Sequence, residues 1–176
     1  MTEFKIIINY IWHIVYKRVF GNEKYARKIG VQIGNNCEIY SSVSWGSEPY
    51  LIKLGDSVRV TNGVHFITHD GGMWILRNLK LLENSDSFGM INVGNNVHIG
   101  INAIIMPNVT IGDNVIIGCG AIVTKDIPAN SIAVGVPAKV IESIDEYYMK
   151  HKNTCDFTKN LSSSEKKQYL TDKYQL

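Results

Sequence analysis

VGNNVHIGINAIIMPNVTIGDNVIIGCGAIVTKDIP, residues 93–128, decides the fold once it is read in sixes. Aliphatic residues fall at Val93, Ile99, Ile105, Ile111, Ile117 and Val123, each six after the last. Four residues into each six stands a second small or aliphatic residue, at Val97, Ala103, Val109, Val115, Ala121 and Ile127. Gly follows the first aliphatic at Gly94, Gly100, Gly112 and Gly118. A helix of about 3.6 residues per turn drifts out of that register within a few units. A parallel β-helix keeps it, because each six is a short strand plus a corner, three sixes close a triangular coil, and stacked coils bury the aliphatics in one column.

Outward from this stretch the same template reaches back to Ile33. Units run from Ile33 to Glu38, Ile39 to Ser44, Leu54 to Arg59 and Val60 to His65, with a looser one from Trp45 to Lys53 that bulges at Glu48-Pro49. The unit opening at Phe66 breaks after Thr68, and the phase returns only at Val93. If that unit closes with Ile91-Asn92, the coils are 33–53, 54–92, 93–110 and 111–128. Residues 69–90, HDGGMWILRNLKLLENSDSFGM, are then an extruded loop. Loops of this length in compact domains are more often functional than not, and this one leaves the coil at His69.

The flanks read as helical. FKIIINYIWHIVYKRVF carries Lys5, Asn9, His13 and Lys17 on an otherwise apolar body, too short and too charged to span a bilayer. No small-residue cleavage site follows it, which disfavours a signal peptide. It is expected either to cap the open end of the β-helix or to lie in a membrane interface through residues 1–20, with Tyr10, Trp12 and Tyr16 as belt residues and the lysines on anionic lipid. After Pro128 the register fades. Gly135-Val136-Pro137-Ala138-Lys139 reads as a turn, Ile141 to Lys152 as a helix, and Ser162-Ser163-Ser164-Glu165 as a capping box opening a last helix to about Tyr174. The expected division is 1–28, 29–140 and 141–176.

Composition narrows the function classes. A chain of 176 residues with 45% hydrophobic content can bury a sizeable core in one domain. A net charge of +2 without a Lys/Arg run argues against nucleic acid as a partner. Cys37, Cys119 and Cys155 are odd in number and lack a CxxC spacing, which suits reduced thiols in the cytoplasm.

The span from about Ile29 to Ile141 resembles the hexapeptide-repeat acyltransferases, and IGDNVIIGCGAIVTKDIPANSIAVGVPAKVI is similar to that family's terminal coils. The resemblance implies an all-β chain built as a left-handed parallel β-helix, since parallel crossovers are otherwise right-handed. A loop leaving the coil at His and returning through VGNNVxIG resembles the branch that acetylates sugars, exopolysaccharides and small xenobiotics. This likeness implies a homotrimer with sites between adjacent β-helices, acetyl-CoA as cosubstrate, no required metal, and direct transfer to a saccharide acceptor. His69 matches the family's catalytic base. Ile101, Cys119 and Gly120 match the pantetheine groove. Thr124, Lys125 and Lys139 match positions at the nucleotide end of CoA, Lys139 standing where relatives often have Arg. The chain also departs from the family in having His69-Asp70 where sugar-acetylating relatives often have His-Pro, which leaves the partner orienting the imidazole unassigned.

The chemistry fits a histidine. An acceptor hydroxyl attacking a thioester needs a base that is uncharged near neutrality and within hydrogen-bond reach. Cys119, with no histidine near it in sequence, is a poor candidate nucleophile. His65, His69 and His98 raise a zinc site of the γ-class carbonic anhydrase kind, but His65 and His98 fall at different corners of the coil. In the loop, Trp74 is placed to stack on a sugar ring and Asp70 or Arg77 to bind its polar groups, or the loop packs on a neighbouring β-helix. Asn62 and Asn102 flank the same region, though each also suits a corner, where Asn tolerates left-handed backbone angles. N-acetylation of an amino sugar or xenobiotic is the nearest alternative reaction. A non-catalytic scaffold is a distant one.

Overall fold

The computed structural model describes the backbone of residues 2–176 and the side chains of residues 11–176, so the readings on Lys5, Asn9 and Tyr10 lie outside the described side chains. The chain divides after Ile144 into two compact units.

The first unit is a parallel β-helix of two- to four-residue strands on three sides. Side one stacks β1 (Gln32–Ile33), β3 (Ile52–Leu54), β6 (Ile91–Val93) and β9 (Val109–Ile111). Side two stacks β2 (Glu38–Ile39), β4 (Arg59–Val60), β7 (His98–Ile99), β10 (Ile116–Ile117) and β12 (Ser131–Val134). Side three stacks β5 (His65–Phe66), β8 (Ile104–Ile105) and β11 (Ile122–Val123). In register, Ile33 lies over Leu54, Leu54 over Val93 and Val93 over Ile111, as the sixes require. Both aliphatic columns read from residues 93–128 are buried throughout.

The glycines at the corner between sides one and two are imposed by the distance between coils. A Cβ on Gly94 would lie 2.3 Å from Asp113 Oδ1 and 2.8 Å from the carbonyl carbon of Gly112. The residue after each such glycine ties one coil to the next. Asp56 accepts the Asn35 N–H, Asn95 Oδ1 the Asp56 N–H, and Asp113 the Asn95 N–H, at 2.6, 2.8 and 2.6 Å. Asn and Asp alternate down this column, so no carboxylate stacks directly on another. Asn36, Asn96, Asn114 and Asn130 make the corner itself with φ of 54–57°.

The last coil differs from the expected one. Ile127, not Ala129, bridges to Ile111, and Ile132-Ala133 pair with Ile116-Ile117, an offset of 16 residues where the coil directly above has 18. Asp126 Oδ1 accepts the Thr110 N–H at 2.7 Å and draws this corner in early. The register therefore does not fade after Pro128; it continues in a shortened coil. The chain turns at Gly135–Ala138 and returns as β13 (Lys139–Ser143), antiparallel to β12. The helix expected from Ile141 to Lys152 thus opens as a strand, and α4 covers Ile144–His151.

At the other end two helices replace the single one expected. α1 (Thr2–Phe20) is broken from α2 (Asn22–Lys28) at Gly21, with φ of 86°. The cap is α2. Ala26 is fully buried in the core, the Arg27 guanidinium donates to the Ile33 and Gly34 carbonyls, and Asn22 donates to the Ile39 carbonyl at 3.1 Å. These bonds satisfy an edge that would otherwise face water. In the second unit α5 (Ser163–Tyr174) opens on the expected capping box, Ser162 N–H to Glu165 Oε2 at 2.7 Å and Glu165 N–H to Ser162 Oγ at 3.3 Å.

The glycine corner is open to a direct test. Gly94→Ala is expected to cost about 1–3 kcal/mol through overpacking, while Gly71→Ala, where a Cβ meets nothing within 4 Å, should be near neutral. Thermal melts of the two variants check this, and equal melting temperatures would contradict it.

Candidate functional site

The site forms where two coils carry their irregular turns at the same level. On side three Ser44 pairs with His65, which places Trp45 flat on Phe66, rings 5.1 Å apart and 3° from parallel, both buried. From this stacked pair each coil runs three residues further, to Glu48 and His69. Gly46 allows the approach, since a Cβ there would meet Thr68 Oγ1 at 2.8 Å and the Phe66 carbonyl at 2.9 Å, and its φ is 67°.

Four polar groups meet at that point. His69 Nδ1 lies 2.9 Å from Ser47 Oγ and 3.3 Å from Glu48 Oε2. Ser47 Oγ donates to the same carboxylate oxygen at 2.9 Å, and Thr68 Oγ1 does so at 2.7 Å. With the serine proton committed to Glu48, Nδ1 must donate to be satisfied, which assigns the proton to Nδ1 and leaves Nε2 with its lone pair. The Thr68 hydroxyl first, then Ser47 and His69, holds the Glu48 carboxyl below the usual carboxylate range against the opposing effect of burial.

The extruded loop is pinched at its base just beyond the histidine. His69 and Phe88 form an antiparallel bridge, Asp70 N–H donates to the Ser87 carbonyl at 2.8 Å, and Gly89 N–H to the Thr68 carbonyl at 2.9 Å. The loop has structure of its own, the short helix α3 (Met73–Asn78). Asp70 closes the turn before this helix by accepting the Gly72 N–H at 2.8 Å and makes no bond to the imidazole. Arg77 is bound within the loop, to the Ser85 carbonyl at 2.6 Å and Asp86 at 2.7 Å, and Trp74 is 59% exposed.

His69, Asp70 and Thr124 open on one cavity of about 420 Å³, completed by Ser87, Met106 and Asn108. Lys125 follows Thr124 at the same corner, exposed. Ile101, Cys119 and Gly120 stand at the opposite edge of side three, where Gly120 N–H donates to the Ile101 carbonyl at 2.8 Å. Lys139 is exposed on β13. Asn102 takes the expected left-handed corner, φ 58°, whereas beside Asn62 that role falls to Gly63, φ 71°. Asn62 instead accepts the Ser42 hydroxyl at 3.1 Å. Trp74, Arg77 and Asn62 do not line the His69 cavity.

A larger groove of about 520 Å³ runs along side two, past the Glu38–Arg59 ion pair and His98. It contains none of the residues read as the site. His98, whose imidazole pKa is lowered chiefly by burial and then by Arg59, pairs in register with Arg59 and Ile116 on side two, and His65 with Ile104 on side three. The two histidines thus face different ways, as their spacing indicated. Among the described residues no three metal-binding side chains converge.

Ser47, Glu48 and Thr68 were not legible as site residues in the sequence. The one signal was the bulge at Glu48-Pro49, one coil of 21 residues before the histidine.

Residues 90–125 match the family model described as bacterial transferase hexapeptide (six repeats). Protein CapG of Staphylococcus aureus is 55% identical over 160 residues, 90% of this chain and 91% of the relative. Galactoside O-acetyltransferase of Escherichia coli K12 is 40% identical over 114 residues, 58% of this chain and 51% of the enzyme, so this chain spans about half of that relative's length. A galactoside acetyltransferase solved in complex with coenzyme A superposes with a TM-score of 0.61 at 30% identity, over 79% of this chain and 77% of the other. With a near-full-length relative and a matching coil architecture, the chain belongs to the hexapeptide-repeat transferases, as an acetyltransferase built on a left-handed parallel β-helix.

Proposed function

We propose that this protein is an acetyl-CoA-dependent O-acetyltransferase acting on a saccharide acceptor of a surface polysaccharide, in the cytoplasm, with His69 as general base. The observation that carries the reading is the Nδ1 tether. Ser47 and Glu48 fix the imidazole at the rim of a cavity that also holds Thr124, with Nε2 as the unprotonated nitrogen. The relative named galactoside O-acetyltransferase, and the neighbour solved with coenzyme A, support the acceptor class and the donor.

In this reading Nε2 takes the proton of the acceptor hydroxyl as its oxygen attacks the acetyl carbonyl. The carbon–sulfur bond breaks, and the same proton passes from Nε2–H to the departing thiolate. Glu48, ionised throughout, keeps the proton on Nδ1 and stabilises the imidazolium that forms between the two steps. Lys125 and Lys139 serve as point charges for the phosphates of CoA, a role that needs no bidentate geometry. Thr124 sits with them. Ile101, Cys119 and Gly120 line the pantetheine arm.

The working assembly is a homotrimer with each site between two copies. Side three supports this, because Ile104 and Ile122 point outward from it, half-buried in the single chain, between the edge carrying Cys119 and the edge carrying His69. Trp74, Ile75 and Leu79 of the loop are exposed in one copy and would find cover against the next.

His69→Ala is expected to lower kcat/KM about 100-fold or more without disturbing assembly. CoA release measured over a panel of saccharide acceptors tests this, and unchanged turnover would remove the central claim. Glu48→Gln keeps size and shape but removes the charge. Its expected effect is a drop of about 10-fold or more in kcat/KM. Because folding depresses the Glu48 pKa, its contribution to stability is complete above the ordinary glutamate range and is lost as pH falls through the lowered folded value. Acidification should therefore lower the melting temperature of the wild type more than that of Glu48→Gln.

A further inference from the structure

Among the described side chains of α1, residues 11–20, the inward positions are polar or amphipathic. His13, Tyr16 and Lys17 are the partly covered positions: the His13 ring meets Tyr25 of α2 edge-on at 5.5 Å, and Lys17 Nζ lies 4.5 Å above the same ring. The opposite face carries Ile11, Ile14, Val15 and Val19, which are 52%, 49%, 52% and 65% exposed, with the exposed Arg18 among them on the same strip. A helix resting on a protein in water has the reverse arrangement, apolar side to the core and polar side out. The first coil is already sealed by Ala26, Arg27 and Asn22 of α2, so covering the β-helix end does not explain this face.

The charge beside it is equally lopsided. Residues 1–28 hold six Lys or Arg and two acidic residues, whereas the remaining 148 hold twelve and fourteen, so the basic character of the chain is confined to this segment. Within it Glu23 is bound to Arg27 at 2.9 Å. Arg18, Lys24 and Lys28 are exposed, the last two one turn apart on α2. Trp12, 40% exposed and packed on Tyr16 with ring centroids 5.0 Å apart, supplies an aromatic of the kind that settles at a membrane–water boundary. Among the described residues no helix is long and apolar enough to cross a membrane.

We propose that α1 lies along the surface of an anionic lipid bilayer, with Ile11, Ile14, Val15 and Val19 entering the acyl boundary and Arg18, Lys24 and Lys28 meeting headgroup phosphates. An outward apolar strip and a cluster of basic side chains are the two signals that together hold a protein at such a surface. A second copy of this positively charged segment is the poorer occupant, since the two would repel.

Co-sedimentation of the full chain with vesicles tests this. The protein is expected to pellet with phosphatidylcholine vesicles containing phosphatidylglycerol and far less with phosphatidylcholine alone. Val15→Glu combined with Val19→Glu, both at exposed positions, should abolish pelleting while circular dichroism and acetyl transfer to a soluble acceptor stay unchanged. Lys24→Gln with Lys28→Gln should weaken binding to the anionic vesicles by about 30-fold. The proposal is overturned if the wild type stays in the supernatant with anionic vesicles. It is equally overturned if the double glutamate variant still pellets, or if that variant instead lowers the oligomeric state in light scattering, which would place the strip between copies.

Discussion

Strands of two or three residues have no stability by themselves, and here almost every one depends on the coil above and the coil below. Each coil supplies its neighbours with backbone partners on three sides and a layer of aliphatic side chains inside. That mutual dependence holds only while coils stay at strand spacing, and the corners enforce it. Gly34, Gly55, Gly94 and Gly112 leave no room for a Cβ against the next coil, and the Asn and Asp residues that follow them close the remaining gap with side-chain bonds to backbone. One repeat thus serves two purposes, packing through its aliphatics and alignment through its corners.

A stack of this kind has two exposed ends, and the protein closes them differently. At the start α2 brings Arg27 across the first strand edge, satisfying carbonyls that have no coil above them. At the end the last coil is shortened by two residues and the chain folds back as β13, so a parallel stack finishes on an antiparallel edge and the next coil has no surface on which to continue. The described side chains of α1 rest on Tyr25 of α2, through His13 and Lys17, and leave Ile11, Ile14, Val15 and Val19 facing outward.

How far the sequence could be read depends on which interactions are local. The sixes from Val93 to Val123 were legible because each unit repeats the same demand on its own residues, and the coil boundaries at Leu54, Val93 and Ile111 came with them. The short last coil was not legible. VTKDIPANSIAV keeps a passable six-residue pattern through Ala129, and only the bond from Asp126 to the Thr110 N–H shows that Ile127 is the residue that stacks. The strand at Lys139–Ser143 runs across the expected turn, which ends at Lys139, and the expected helix, which begins at Ile141, because KVIES carries no signal of its own; its conformation comes from pairing with β12. His69 was visible as the residue where the rhythm stops. Its partners were hidden, since Ser47 and Glu48 are 22 and 21 residues away and look like a flaw in a repeat.

That flaw explains where chemistry can reside on this scaffold. In a regular six, alternate side chains go to the core, the backbone bonds to the next coil, and the corner residues are spent on alignment, so a regular unit has few groups left to act together. Groups can converge only where two adjacent coils depart from the pattern at the same level. Trp45 on Phe66 sets that level, the turn at Pro49–Leu51 lets Glu48 face inward to the loop neck, and the extruded loop releases His69 from the strand it would otherwise continue. The regular stretch from Val93 to Pro128 then supplies a rigid wall, with Thr124 at its edge, against which the tethered imidazole is held.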